Sequence, residues 1–202
     1  MAPAQRPKIP RALLICCEGK TEEAYFNALL DFFRLPAFVA VEVYGQEGQH
    51  YALVDNALLR RDTLCVESGW DERDVECWAV CDEDKLSGTF AQLDGYAEER
   101  GVHLAFSAPQ FEMYLLQHFE QSGSADRAEV FRRLSVYRSA YGGEGEYGDD
   151  TKADLGWMAR AIDSRPKIVK VAITNSDLRD RPSRRPFLTV QRLTERIVNL
   201  AI

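Results

Sequence analysis

Glu18, Asp82, Asp84 and Glu112 are the residues of this sequence whose types and placement could do chemistry. Each stands just beyond a short apolar run. Glu18 follows ALLICC, Asp82 and Asp84 follow CWAVC, and Glu112 lies one turn into the segment after VHLAFS. If those runs are parallel strands, their carboxyl ends share one sheet edge, which is where such sheets hold ligands. Clustered carboxylates repel and raise one another's pKa unless a cation offsets them. Mg²⁺ and Mn²⁺ suit the role, because they take carboxylate, water and phosphate oxygens. On an extended D-x-D, Asp82 and Asp84 share one side while Glu83 points away. A metal held there activates a water or stabilises a leaving alkoxide in phosphodiester cleavage. Each residue taken alone reads as a loop cap or a solvated turn residue. Their joint placement is what points to a site.

One motif misleads. Gly19-Lys20-Thr21 looks like the end of a phosphate-binding P-loop, but the glycine required five positions earlier is Leu14. Glu18 would also oppose a phosphate there.

The elements that must position these residues alternate in period. ALLICC (Ala12 to Cys17) and CWAVC (Cys77 to Cys81) are continuous apolar runs, as expected for strands buried on both faces. Phe38 to Tyr44 alternates like a strand, and Val102 to Ser107 reads as another. Between them, helices are predicted at Thr21 to Phe33 with Thr21 as N-cap, His50 to Leu64, Phe90 to Arg100 closed by Gly101, and Pro109 to Phe119. This alternation implies an α/β fold with a mostly parallel sheet of about four strands and helices on both faces. That core is expected over residues 9–120, with residues 121–202 forming a helical C-terminal extension packed on it. In the extension, helices are predicted at Ala125 to Tyr137, Asp154 to Ile162 and Thr189 to Leu200. Tyr141 to Asp150 reads as a mobile Gly- and acid-rich loop. Ile168 to Ile173 suits either a strand or a helix; its all-helical surroundings favour helix.

Composition narrows the classes. The chain has 202 residues, 46% of them hydrophobic, enough for a single core without disulfides. No apolar run approaches the roughly twenty residues of a membrane span, and the run from Ala12 breaks at Glu18, so no signal-peptide core follows the start. Five cysteines, an odd number with most in strand-like runs, fit reduced thiols in a cytoplasm. Cys77 and Cys81 share a strand face with aliphatic neighbours and read as core, not zinc ligands. Trp70, Trp78 and Trp157 likewise read as core or interface anchors. The net charge of −7 argues against holding nucleic acid by bulk positive charge, but it is uneven. Residues 1–151 carry 14 basic and 27 acidic side chains, residues 152–202 carry 11 and 5. The basic stretch from Lys152 to Arg196, with Arg179, Arg181, Arg184 and Arg185, either faces a polyanion or partner, or neutralises the acidic body.

Strand–EGKTE followed by strand–CDED resembles the Toprim domain, in which a Glu after the first strand and a D-x-D after the third bind Mg²⁺. SAPQFEMYLLQHF (Ser107 to Phe119) resembles the S-x-P-x-F-E-x-W-x-L-x-H-F block of the Toprim-related RloB-like proteins, with Tyr114 in place of Trp. RPFLTVQRLTERI (Arg185 to Ile197) resembles that group's C-terminal block, altered at Arg185 and Phe187. The resemblance spans nearly the whole chain. It implies a Toprim-like, Rossmann-like core and a Mg²⁺- or Mn²⁺-dependent nuclease, or a nuclease-like effector, in bacterial antiviral defence. RloB-like proteins occur in restriction-modification operons and phage-defence loci. The implied partners are DNA or RNA, with a partner ATPase or restriction-modification subunit also possible.

Carried onto this sequence, the resemblance makes Glu18 the first metal ligand or general base and gives Asp82 and Asp84 to Mg²⁺. Glu22 would complete a second metal site, as in related overcoming-lysogenization-defect nucleases; equally, it serves the first turn of its helix. Glu112 is an extra ligand or substrate positioner, or favours its own helix N-terminus. Lys20 and Lys85 flank the acids and contact phosphate, or are simply solvated. Arg184 and Arg185 are the basic-tail candidates for substrate contact. His118, six positions after Glu112, points nearly opposite on a helix and reads as structural. No separate domain supplies the Tyr nucleophile of Toprim topoisomerases, so direct hydrolysis is expected over strand passage. A non-catalytic sensor or partner subunit of a defence complex, and a small-molecule phosphoryl-transfer enzyme with a narrow, deep pocket, are the alternatives.

Overall fold

A computed structural model describes residues 9 to 201. Five strands form one sheet: β1 (Ala12–Cys17), β2 (Ala40–Tyr44), β3 (Val75–Asp82), β4 (Val102–Ala108) and β5 (Phe187–Leu188). Their order is β2-β1-β3-β4-β5, parallel throughout except for antiparallel β5. Eight α-helices surround the sheet among the described residues: α1 (Lys20–Phe32), α2 (His50–Ser68), α3 (Phe90–Glu98), α4 (Glu112–Gln117), α5 (Arg127–Ala140), α6 (Gly156–Ser164), α7 (Lys167–Asp177) and α8 (Val190–Leu200).

β1 is apolar end to end, and β3 and β4 nearly so along their middles, because both faces of the sheet are covered there. Leu13, Ile15, Cys17, Trp78, Val80 and Ala105 point to the side of α1, α4 and the C-terminal helices. Ala12, Leu14, Cys16, Cys77, Ala79, Cys81 and Leu104 point to the side of α2 and α3. The thiols at 16, 17, 77 and 81 are therefore core atoms, and all five cysteines are free. Trp157 and Trp78 are buried and Trp70 is partly so, as anchors. After β1 the chain winds outward to β2, then returns to lay β3 on the other flank of β1. The order of connection reverses between β1 and β3, and a crevice opens at their carboxyl ends.

Several boundaries differ from the sequence reading. Helix α1 begins at Lys20 with Gly19 as N-cap, so Thr21 is a buried helical residue and not the cap. The Ala108–Pro109 peptide is cis, and α4 starts only at Glu112. The C-terminal segment is not all helical. Phe187 and Leu188 add a fifth strand to β4, and Thr189 extends the pairing through its backbone N–H to the Phe106 carbonyl at 2.8 Å. Its hydroxyl also accepts from the Phe106 N–H at 2.8 Å. Two residues are too few for a period-2 pattern to show. Ile168–Ile173 lies inside α7, whose buried Ile168, Val169, Ala172 and Ser176 recur at helical spacing. Thus α7 packs on α4 and α8, α6 packs on α1, and α8 packs on β4.

His118 ties three of these pieces together. Its Nδ1 lies 3.1 Å from the Leu115 carbonyl, which only accepts, so Nδ1 carries the proton. Nε2 then accepts from the Tyr25 hydroxyl of α1 at 3.0 Å. Tyr114 in turn donates to Thr194 of α8 at 2.6 Å. The block that carries His118 therefore builds core, as its spacing implied.

Burial lowers the His118 pKa from its ordinary 6.5 to about 4. The unfolded chain takes up that proton near pH 6.5, whereas the folded chain does not until about 4. This group's stabilisation is complete above 6.5 and is lost as pH falls from 6.5 toward 4, by up to about 3 kcal/mol. Denaturant titrations at pH 7.5 and 4.5 should show a smaller acid loss for His118→Gln than for wild type.

Candidate functional site

The carboxyl ends of β1 and β3 deliver two of the predicted acids side by side. The Glu18 N–H donates to the Val80 carbonyl at 2.9 Å, continuing the β1–β3 pairing one residue beyond β1. Asp82 ends β3, and its Oδ1 accepts from the Asp84 N–H at 2.9 Å. This turn directs Asp82 and Asp84 into one cleft and Glu83 out of it, where Glu83 pairs with Arg185.

Glu22 joins them because of where α1 buries its face. Thr21, Glu22, Tyr25, Phe26 and Leu29 form the buried stripe, so the carboxylate continues an apolar row into the cleft. A Cβ on Gly19 would stand 2.7 Å from Glu22 Oε2, so the glycine leaves that carboxylate its room. No side-chain capping bond forms at this helix start. Glu112, first residue of α4, is buried from the other side.

The cleft holds about 390 Å³, lined by Glu18, Glu22, Asp82, Asp84 and Glu112 together with Lys20 and Lys152. Gln49 and Asp149 close its rim. Burial, and after it the Asp82 charge, pushes Glu18 up to about 7, partly offset by a hydrogen bond from Gln49. Burial, then the charges of Glu112, Asp82 and Glu18, pushes Glu22 up to about 8. Asp82 and Glu112 are also raised, mainly by burial, with the Lys152 charge working against it. Glu18 Oε2 is buried with no hydrogen-bond partner.

Hard oxygen donors with an orphaned carboxylate oxygen are the donor chemistry that Mg²⁺ or Mn²⁺ takes. Among the described residues no three His, Cys, Asp or Glu side chains stand as a ready-made cage. The fit lies in the donor set alone.

The structure brings together Glu18, Glu22, Asp82, Asp84, Glu112 and Lys20, and leaves other candidates outside. Lys85 sits at the exposed rim, 3.7 Å from Asp84. Arg184 is exposed in the turn before β5, away from the cleft. Arg185 pairs with Glu83 in a separate depression beside Phe90 and Phe187. Further along the basic stretch, Arg192 pairs with Asp180 and Arg196 with Glu76. Arg185 and Arg196 thus neutralise acids of the body, whereas the Arg192–Asp180 pair lies within the basic stretch itself.

The structure also adds residues that sequence reasoning missed. His50, buried at the start of α2, holds the Asp82 carbonyl through Nε2 at 3.0 Å. Its position after β2 was the available signal. Tyr147 and Asp149 come from the acid-rich loop of the extension, and Lys152, already singled out as the start of the basic stretch, follows it into the cleft. That loop, read as mobile, is instead pinned. Tyr147 is buried with its hydroxyl 3.5 Å from Glu112 Oε1. Arg138, also buried, donates to the Glu144 and Asp154 carbonyls at 3.0 and 2.9 Å and pairs with the Asp154 carboxylate at 2.8 Å. One tyrosine and one distant arginine supply the packing that local composition did not announce.

The family model described as RloB-like protein matches residues 13–197, which is most of the chain. No curated protein and no solved structure is similar enough to count as a match.

Proposed function

We propose that this chain, which belongs to the RloB-like protein family, is a Mg²⁺- or Mn²⁺-dependent nuclease with a Toprim-like site, acting in bacterial antiviral defence. The observation that carries the reading is the convergence of Glu18, Glu22, Asp82, Asp84 and Glu112 from four separate elements on one cleft. Glu22 and Glu112 are buried beside Glu18, Asp82 and Asp84, and carboxylates so crowded cost stability unless a cation offsets them. Glu18, Asp82 and Asp84 would hold the ion, with Glu22 and Glu112 opposite them as further ligands. When bound, the ion polarises a phosphate oxygen and lowers the pKa of a coordinated water. Lys20 offers its ammonium to the phosphate from the rim, and Gln49 keeps Glu18 oriented. His50 fixes the backbone of Asp82 and so the direction of its carboxylate.

The test is cleavage of single- and double-stranded DNA and of RNA, with Mg²⁺ and with Mn²⁺. Wild type is expected to cut at least one of them, and an Asp82→Ala/Asp84→Ala double variant none. Equal inactivity of both on every substrate would leave the non-catalytic alternative, a nucleic-acid- or partner-binding subunit.

A further inference from the structure

We infer that the carboxylate cleft takes an unpaired nucleic-acid strand and excludes a duplex, and that Lys152 is its phosphate contact. The inference rests on the nuclease reading above and names the substrate form of that same site.

The first observation is size and enclosure. A volume of about 390 Å³ is at the scale of a small-ligand pocket and matches one nucleotide, not a double helix. Five segments wall it. They are Glu18 to Glu22 at the start of α1, the loop bearing Gln49, the turn from Asp82 to Asp84, the start of α4 at Glu112, and the extension segment from Asp149 to Ala153. The last wall comes from the C-terminal extension, not from the sheet edge, and narrows the cleft. It is held by Tyr147 and by Arg138, whose guanidinium is almost wholly buried.

The second observation is the distribution of cations. Proteins that grip duplex DNA neutralise on the order of 6–10 phosphates. Here the cleft offers Lys20 and Lys152, with Lys85 at the rim. Arg185, Arg192 and Arg196, which could have widened the positive surface, are committed to Glu83, Asp180 and Glu76. Two ammonium groups suit one or two phosphates of a flexible strand.

The third observation is how Lys152 is held. Its ammonium lies 3.6 Å from Asp149, a loose pair at the mouth of the cleft. Asp149 has a second partner in Arg127. A phosphate entering the cleft can therefore take Lys152 without leaving Asp149 uncompensated. Thr151 fixes the turn that carries both, accepting from the Gly148 N–H at 3.0 Å and donating to the Glu146 carbonyl at 2.8 Å.

The experiment uses the full chain and one fluorescein-labelled sequence as single-stranded DNA, single-stranded RNA and blunt duplex. Phosphorothioate linkages serve for binding by anisotropy in Mg²⁺, and ordinary linkages for cleavage. Unpaired strands are expected to bind and be cut at least tenfold better than the duplex. Lys152→Ala should weaken strand binding about tenfold or more, the loss of one charge-assisted phosphate bond. Lys152→Arg should recover most of it. Mg²⁺ affinity by calorimetry should stay equal or tighten in Lys152→Ala, because a cation has left the site.

Duplex bound and cut as well as single strand would overturn the inference while leaving the nuclease reading intact. Unchanged strand binding in Lys152→Ala would overturn the role of Lys152. A dinucleotide is run beside them, and its cleavage alone, with neither strand bound, would overturn the inference in favour of a small-molecule phosphodiester. No cleavage of anything, with no preference in binding, would overturn both readings.

Discussion

Glu22→Gln should abolish metal-dependent cleavage, by about a thousandfold or more, and at the same time stabilise the metal-free protein. The two effects share one cause. Glu22 is buried among Glu18, Asp82 and Glu112, and the charges of those three oppose its own ionisation. With its pKa pushed to about 8, Glu22 is mostly protonated in the metal-free fold at pH 7 whereas the unfolded chain ionises it, and glutamine keeps the shape without that cost, which should raise metal-free stability by on the order of 1–3 kcal/mol. It also removes one hard ligand and the local field a cation needs, so binding and chemistry fall together. The measurement is thermal unfolding with and without Mg²⁺, run beside the cleavage assay. Wild type should gain stability with Mg²⁺, about 2.7 kcal/mol at a hundredfold excess over Kd, and Glu22→Gln much less. A variant that cuts like wild type, or that loses stability without metal, would return Glu22 to the helix-terminus role that its sequence position equally allowed.

The second large effect concerns the far end of the site wall. Arg138→Ala should cost on the order of 3–5 kcal/mol, because a nearly buried guanidinium holds the Glu144 and Asp154 carbonyls and the Asp154 carboxylate. Its loss takes the donor from the Glu144 and Asp154 carbonyls and opens a void beside Trp157, while the exposed Asp154 carboxylate turns to water. Urea denaturation gives the stability change. Limited proteolysis between residues 141 and 153 should become faster in Arg138→Ala at concentrations of denaturant where the rest stays folded. Arg138→Lys should recover only part, since an ammonium cannot reach the same set of acceptors in a planar fork. If the loop stays as resistant as in wild type, Tyr147 alone holds it. Cleavage should fall in the same variant, because Tyr147 and Lys152 are placed against Glu112 and the cleft by this anchor.

The acids of the candidate site were largely legible before any coordinates, for a local reason. A strand buried on both faces shows itself as a continuous apolar run, and the residue that ends the run is at the strand's carboxyl end whatever the rest of the chain does. Glu18, Asp82 and Asp84 could therefore be set on one sheet edge from the sequence, and Glu112 near it. The same logic placed His118 on the far side of its helix and the cysteines in the core. The helical reading of Ile168–Ile173 rested on its neighbours and agrees with α7.

What the sequence could not decide was which distant segment would cover that edge. Lys152 opens a basic stretch whose facing the sequence left undecided, and Tyr147 and Asp149 lie in a stretch with no apolar period, which composition alone marks as a mobile loop. Only the packing of α5 and α6 against α4 and α1 carries it over the carboxylates, where Arg138 and Tyr147 fix it. The arginine-rich tail shows the converse. Its charge was plain in the sequence, but the acceptors that commit Arg185 and Arg196, Glu83 and Glu76, are more than a hundred positions away. Periodicity reports the face a segment buries, and strand ends report an edge. Charge partners and walls depend on which elements meet across the core, and that is settled by the summed packing of the whole chain.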